Sequence, residues 1–269
     1  MTWLKEVFGH DKVVIGMVHF PPLPGAPLYD DRTGLPAALD RVFQDVEALQ
    51  AGGMDGMMFC NENDRPYQMQ ADPVTVATMA RAIGEIRPKI RIPFGVDILW
   101  DPAAAVAVAK ATGGQWVREV FTGTYASDMG LWTTQCGEVL RYRKAIDAGS
   151  VRLLFNISAE FASPLGSRSL AEIARSVAFS SLPDGLCVSG VMTGVEVGLS
   201  DLEQVKQAVP DQVVLANTGT RAETIARTLS VADGAIVGTG LKFEGVTWNA
   251  VDPDRVRAYM AEVRRARRD

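Results

Sequence analysis

The sequence predicts an α/β protein of the (β/α)8 TIM-barrel class, in which eight parallel strands alternate with eight helices. Short apolar, β-branched runs recur along the chain, and a segment of helical periodicity follows each of them. The last two such units, 213–220 and 235–242, each pass from an apolar run into glycine and threonine. A length of 269 residues suits a single barrel, so we expect one domain over 1–269. An open sheet of eight strands is compatible with the same pattern.

The elements follow from local patterns taken in chain order. A short helix over 2–9 carries one apolar face and is expected to close the bottom of the barrel. The predicted strands are 13–18, 54–60, 92–96, 115–120, 151–157, 185–191, 213–216 and 235–237. The predicted helices are 36–51, 73–86, one beginning near 101, 133–148, 169–181, 201–208, one after 220, and 252–268.

Residues that favour particular backbone conformations set the ends of these elements. The run 13–18 is apolar throughout, as a strand buried on both faces requires, and four prolines make 20–27 a stiff loop. Pro36 suits the first turn of a helix that Gly52 and Gly53 end. Asp101 caps the helix after the third strand. The segment 121–132 is interpreted as a long loop.

Composition excludes several classes of function. The chain has 27 basic and 32 acidic residues, a net charge of −5, which disfavours nucleic-acid partners. No apolar run approaches ~18 residues, so membrane insertion is not expected. The three cysteines are far apart and show no metal-ligand spacing, which is typical of a reducing compartment. We expect a cytoplasmic homo-oligomer whose partner is a small phosphorylated molecule.

The carboxyl ends of the barrel strands carry the candidate catalytic residues, because active sites of such barrels lie on that face. The catalytic candidates are His19, Glu62, Asp64, Asp97, Glu119 and Glu160, and the substrate-binding candidates are Arg118, Asn156 and Thr193. Clustered carboxylates repel one another unless a cation or a proton intervenes. Both a divalent cation such as Mg²⁺ or Mn²⁺ and a general acid of raised pKa therefore remain open, and the metal ligands are unassigned. A third interpretation is that some carboxylates point outward and pair with arginines.

The loops after the last two strands are candidates for a phosphate site. Glycine lets the backbone approach an anion closely, threonine hydroxyls donate hydrogen bonds, and a lysine adds charge. The predicted phosphate-binding residues are Asn217, Thr218, Gly219, Thr220, Gly238, Thr239 and Lys242. The alternative is that these are ordinary turns between strand and helix.

Several motifs resemble those of the BtpA/SgcQ family. The most specific is the proline-rich stretch 14–27, and further matches lie at 53–56, 62–66, 128–130, 188–194 and 233–239. The resemblance implies a TIM barrel of the ribulose-phosphate-binding type, in a family named for a role in photosystem I biogenesis. The chain departs from the family pattern at Asp97, at Glu119, and at Glu160 with Phe161, where the pattern has a lysine and a histidine. We interpret it as a divergent member with a different substrate.

Three hypotheses about function follow. The first is an enzyme that acts on a sugar phosphate or nucleotide-like compound by lyase, isomerase or glycosidic-hydrolase chemistry. The second is a non-catalytic assembly or binding protein that keeps the phosphate pocket. The third is a metal-dependent enzyme that acts on an unphosphorylated substrate.

Overall fold

A computed structural model describes residues 2–268. The strands are β1 (Val13–His19), β2 (Gly56–Cys60), β3 (Phe94–Asp97), β4 (Trp116–Glu119), β5 (Thr124–Ser127), β6 (Gly130–Thr133), β7 (Arg152–Asn156), β8 (Ala162–Pro164), β9 (Gly185–Val188), β10 (Val214–Ala216) and β11 (Gly234–Val237). The helices are α1 (Trp3–Phe8), α2 (Gly34–Gly52), α3 (Pro73–Ile86), α4 (Pro102–Thr112), α5 (Cys136–Ala145), α6 (Leu170–Ser180), α7 (Leu199–Ala208), α8 (Ile225–Val231) and α9 (Pro253–Ala266).

Eight of the strands form a closed parallel barrel. Around the barrel they are ordered β1, β2, β3, β4, β7, β9, β10 and β11, and β11 returns to pair with β1. The closing register places Val13 opposite Gly234, and the next pair along places Ile15 opposite Gly56. The predicted TIM barrel is confirmed, and the open sheet is excluded because each of these eight strands is paired on both of its edges.

Helix α1 closes the amino-terminal end of the barrel, as the sequence predicts. Its Trp3 and Leu4 are buried, and the Trp3 ring nitrogen donates a hydrogen bond to the carbonyl of Asp184 at 2.8 Å. The Phe8 ring centroid lies 5.5 Å from that of Trp116, at the start of β4. These contacts seal the bottom, so the opposite face is the open one.

The interpretation of 121–132 as a loop was wrong. Strands β5 and β6 form an antiparallel hairpin, and β8 pairs with β5 to complete a second, three-stranded sheet. Tyr125 and Trp132 face each other across the hairpin with ring centroids 5.6 Å apart. Because β6 runs to Thr133, helix α5 begins only at Cys136.

Strand β9 ends at Val188, three residues earlier than predicted. The Ser189 amide donates to the Ser158 hydroxyl at 2.6 Å, and the Gly190 amide donates to the Thr218 hydroxyl, also at 2.6 Å. Hydrogen bonds to side-chain hydroxyls therefore replace the backbone pairing of the strand, and the chain turns across the carboxyl end of the barrel. Separately, no helix among residues 2–268 has both the length and the apolar character needed to cross a bilayer.

Candidate functional site

Arg118, on β4, is the centre of a buried polar network at the carboxyl ends of the strands. Its Nη2 lies 2.8 Å from Asp97 Oδ2, and its Nη1 lies 3.4 Å from Glu160 Oε2. Burial lowers the pKa of Arg118, but the charges of Asp97 and Glu160 raise it by more, so the guanidinium stays charged. Asn156 donates to the same Glu160 oxygen at 3.5 Å. One cation thus orients carboxylates from two separate segments.

Glu119 lies beneath this network and is fully buried. Burial first, and then the charge of Asp97 and a hydrogen bond shared with it, raise the pKa of Glu119 well above its usual range. The amide of Val120 donates to Glu119 Oε2 at 3.2 Å. The raised pKa favours the protonated form of Glu119, because a second carboxylate beside Asp97 is disfavoured in the interior.

Glu160 is the carboxyl whose titration falls near neutrality. Burial raises its pKa to about 7, although the nearby Arg118 opposes the shift. Its Oε1 accepts a hydrogen bond from Asn217 Nδ2 at 3.4 Å, and Asn217 also donates to the Ser189 hydroxyl at 2.6 Å. A carboxyl that titrates near pH 7 is suited to both donating and accepting a proton.

Glu62 lies across the pocket on the loop after β2. Its Oε1 accepts hydrogen bonds from Thr193 Oγ1 at 2.8 Å and from the Tyr67 hydroxyl at 3.1 Å. Burial raises the pKa of Glu62, and the hydrogen bond from Thr193 opposes that shift. The Thr193 contact ties the turn after β9 to the far side of the barrel mouth.

His19 ends β1 and is buried against β11. Burial, and then the positive charge of Lys242, lower its pKa well below the usual range, so the imidazole is neutral. Its Nδ1 has no hydrogen-bond partner within residues 2–268. A Cβ atom on Gly238 would lie 2.9 Å from His19 Cε1, so only glycine lets β11 run this close to the ring.

Two neighbouring spaces that share lining residues lie at this face of the barrel. We call the first the inner pocket; it has a volume of about 30 Å³ and is lined by Met17, His19, Glu62, Arg118, Glu160, Thr193, Gly194, Asn217, Thr218, Gly219, Ile236, Gly238 and Thr239. Such a volume holds about two water molecules. Asp97 and Glu119 lie below it and do not line it.

The second space, which we call the outer cavity, has a volume of about 670 Å³. It is lined by Gly194, Gly219, Arg221, Ala222, Glu223, Thr239, Gly240, Glu244, Gly245, Arg255, Ala258 and Tyr259. Gly194, Gly219 and Thr239 line both spaces. The loops after β10 and β11 therefore stand between the acidic residues and a cavity of ligand size.

These two loops present unpaired backbone donors. Within residues 2–268, the amides of Gly219, Thr239 and Gly240 have no hydrogen-bond acceptor. The loops also touch, because a Cβ atom on Gly240 would lie 2.7 Å from the carbonyl oxygen of Thr220. Gly219 has φ +69°, a conformation that favours glycine. Free backbone amides on neighbouring loops are the donors that concave anion sites use.

The predicted threonines of this segment take different positions. The Thr239 hydroxyl reaches that of Thr247 at 2.8 Å and lies on the border of both spaces. The Thr218 hydroxyl accepts from Gly190, and the Thr220 hydroxyl lies 2.9 Å from that of Tyr259 in the interior. Thr218 and Thr239 thus line the inner pocket, and Thr239 also lines the outer cavity, whereas Thr220 lines neither space.

Two predicted site residues lie elsewhere. Lys242 is fully buried, and its Nζ donates to Asp45 Oδ2 of α2 at 2.9 Å, so it does not face the phosphate loops. Asp64 accepts the Leu23 amide at 2.8 Å and lines a separate cavity of about 40 Å³. Their assignments to phosphate binding and to catalysis are corrected: both side chains hold loops in place.

The metal ion that the sequence leaves open finds no ready ligand set here. Among residues 2–268, no three His, Cys, Asp or Glu side chains converge as a metal cluster. Arg118 lies against both Asp97 and Glu160, and burial raises the pKa of Glu119, which disfavours the ionised form that binds a metal. These donors do not fit a divalent cation, because Asp97 and Glu160 already pair with a guanidinium.

Sequence reasoning missed four residues at this face. Tyr67 and Ser189 support carboxylate and amide groups of the inner pocket, and Arg221 and Arg255 line the outer cavity. Arg221 follows the predicted loop residue Thr220 directly, which is a signal that could have been used. Arg255 lies in α9, and its position depends on how that helix packs.

The sequence is similar to those of several known proteins. The family model described as BtpA family matches residues 10–265. The sgc region protein SgcQ of Escherichia coli K12 is 48% identical over 268 residues, which cover 100% of both chains. The photosystem I biogenesis protein BtpA of a Synechocystis strain is 33% identical over 260 residues, covering 96% of this chain and 90% of that protein.

A solved structure shows the same architecture at low sequence identity. Phosphoribosyl anthranilate isomerase from Thermococcus kodakaraensis superposes with a TM-score of 0.57 and 14% identity. The match covers 94% of this chain and 99% of the isomerase. At this level of identity the likeness demonstrates the TIM-barrel fold.

Proposed function

The chain belongs to the BtpA family, and from that membership and its barrel mouth we propose that it is an enzyme acting on a small phosphorylated compound. One observation carries the proposal: a carboxyl with a pKa of about 7, that of Glu160, lines the inner pocket, which shares walls with loops that offer free amides. The Glu160 carboxyl, which can transfer a proton, and the free loop amides, which can bind an anion, therefore lie at the same end of the barrel. That the isomerase named above acts on a phosphoribosyl compound is consistent with this choice.

The phosphate is held by the loops after β10 and β11. The amides of Gly219, Thr239 and Gly240 donate to its oxygens, and the Thr239 hydroxyl adds a further donor. Arg221 and Arg255 line the same cavity and supply positive charge. Lys242 has no part in this step because its amine is committed to Asp45.

Glu160 is the general acid–base group of the proposed reaction. With a pKa of about 7 it is present in both protonation states at neutral pH, so it can take a proton from one substrate atom and return it to another. Arg118 and Asn156 fix the orientation of its carboxyl. Glu62, on the other side of the pocket, is the second carboxyl available to a substrate.

The neighbouring residues have supporting roles. Neutral His19 offers a hydrogen bond without adding charge, and the Asp97–Glu119 pair stabilises the charge and position of Arg118 from below. No lysine lines the inner pocket within residues 2–268, so the proposal contains no Schiff-base step. Proton transfer is common to isomerisation, elimination and glycosidic hydrolysis, and the proposal covers these three reaction types.

A second candidate, a non-catalytic binding protein, is favoured by one observation. The inner pocket holds about two waters, and two of its lining residues, Thr193 and Glu62, are hydrogen-bonded to each other. A protein that binds phosphate only in the outer cavity would need no more than this. The Synechocystis relative is named for photosystem I biogenesis, a role that does not specify a chemical reaction.

A screen of phosphorylated sugars and nucleotides by thermal shift, followed by turnover assays on the hits, separates the two candidates. Binding to the native state raises the melting temperature. We expect Glu160→Gln to keep the thermal shift and to lose turnover by about 100-fold or more, the usual contribution of a general acid–base group. Glu138→Gln, at an exposed position on α5, is the control and should behave as wild type. Equal turnover in wild type and Glu160→Gln would refute the enzyme proposal.

A further inference from the structure

We propose that the outer cavity binds the second phosphate and the sugar of a diphosphate-linked compound whose first phosphate lies at the β10 and β11 loops. This inference rests on the proposed function, because it takes the phosphate position as given. It narrows the substrate class from any phosphorylated small molecule to a nucleoside or sugar diphosphate.

The volumes on the two sides of the loops give the first argument. The inner pocket has about 30 Å³ and the outer cavity about 670 Å³. Sites for small organic ligands have roughly 300–1,000 Å³, so the outer cavity alone is of that size. A single terminal phosphate, which has five non-hydrogen atoms, would leave most of it unfilled. The bulk of the ligand therefore lies on the outer side of the loops.

The cations of the outer cavity give the second argument. Arg221 follows the β10 loop directly, and within residues 2–268 its side chain forms no ion pair. Arg255, on α9, places Nη1 3.4 Å from the carbonyl oxygen of Gly240, on the β11 loop. Its only salt-bridge partner within residues 2–268 is Asp252, at 3.9 Å. Each phosphate loop thus has one guanidinium next to it, and a diphosphate presents oxygens to both.

The remaining lining indicates what the second phosphate carries. Glu223 and Glu244 also line the outer cavity and are exposed, so its formal charges balance. An anion alone would leave these carboxylates unused, whereas sugar hydroxyls donate hydrogen bonds to carboxylates. Ala222, Ala258 and Tyr259 add apolar surface. Phosphate, hydroxyl and apolar groups occur together in a nucleoside diphosphate or a sugar diphosphate.

Calorimetric titrations of the full chain with inorganic phosphate, pyrophosphate and ADP test the inference. We expect pyrophosphate and ADP to bind about tenfold more tightly than phosphate, the gain from one further charge-assisted contact. Arg221→Gln should remove most of that tenfold preference, because it should weaken pyrophosphate binding by more than it weakens phosphate binding. Arg257→Gln is the matched control, because that arginine is exposed on the same helix as Arg255 but does not line the cavity.

Each other outcome decides against the inference. If phosphate binds and pyrophosphate is no tighter, the second subsite does not exist and the proposed function stands. If the preference for pyrophosphate survives in both Arg221→Gln and Arg255→Gln, these arginines are not the second subsite. If none of the three compounds binds, the proposed phosphate site fails together with the inference.

Discussion

Replacing Glu160 by glutamine should change how stability depends on pH. The side chain is 2% exposed, and burial raises its pKa from the ordinary 4.5 to about 7. The folded protein therefore holds this proton to a higher pH than the unfolded chain does. Stability from this group is complete below about pH 4.5 and is lost as the pH rises through about 7. Glutamine has nearly the same shape and cannot ionise, so the variant lacks that loss.

The size of the effect follows from the shift. One pKa unit corresponds to about 1.36 kcal/mol, so ionising Glu160 costs the folded state about 3 kcal/mol. For a chain of this size, that equals roughly 6–12 °C in melting temperature. Between about pH 4.5 and about pH 8, wild type should therefore lose about 3 kcal/mol more unfolding free energy than Glu160→Gln does.

Urea unfolding monitored by tryptophan fluorescence at both pH values gives this difference. Comparing the two conditions cancels any constant penalty of placing an amide beside Arg118. Glu203→Gln, at an exposed position on α7, is the control and should follow the wild-type pH dependence. If Glu160→Gln and wild type lose stability in parallel as the pH rises, Glu160 ionises freely in the folded state and its assignment as the acid–base group is refuted.

Three further substitutions test separate parts of the site. Gly240→Ala should weaken the binding of inorganic phosphate about tenfold, because the added methyl group forces the two loops apart. Gly149→Ala is the control, since open space surrounds that position. Equal phosphate affinities of the two variants would contradict the prediction. Lys242→Met should lower the unfolding free energy by about 3 kcal/mol in urea because it leaves a buried carboxylate short of its cation, and a neutral result would contradict a structural role. Thr193→Val should raise the pKa of Glu62 further, because it removes a hydrogen-bond donor to the charged carboxylate. A ¹³C NMR titration of the Glu62 carboxyl measures this pKa, and an unchanged value would contradict the role of the contact.

The barrel could be predicted from the sequence because its signal is repeated. Eight apolar runs each point to a buried strand, and the final two end in glycine and threonine in the same way. An error in the predicted bounds of one strand does not change the predicted number of strands. The positions of His19, Glu62, Arg118 and Glu160 at one face follow from the same rule, since parallel strands end on a common side.

Directions of individual side chains could not be predicted in this way. Lys242 is only three residues beyond Thr239, yet it turns inward because Asp45, 197 positions earlier, supplies its partner. Asp64 is likewise taken by the amide of Leu23 on a different loop. Such pairings depend on contacts between distant segments, which spacing along the chain does not reveal.

The hairpin of β5 and β6 was missed for a different reason. Each strand has only four residues, and β5 alternates between buried and exposed positions too briefly to stand out from a loop. Its stability comes from the Tyr125–Trp132 contact and from pairing with β8, some thirty-five residues later. Strands this short are stabilised by the strands they pair with, and a single sequence gives only a weak signal for them.

The most direct test of the phosphate site is a ¹H–¹⁵N NMR titration of the protein with inorganic phosphate. The amides of Gly219, Thr239 and Gly240, which have no acceptor within residues 2–268, should move together and downfield as they donate to the anion. Saturating shifts confined to these loops would support the account. Phosphate-dependent shifts elsewhere, with these three amides unchanged, would contradict it.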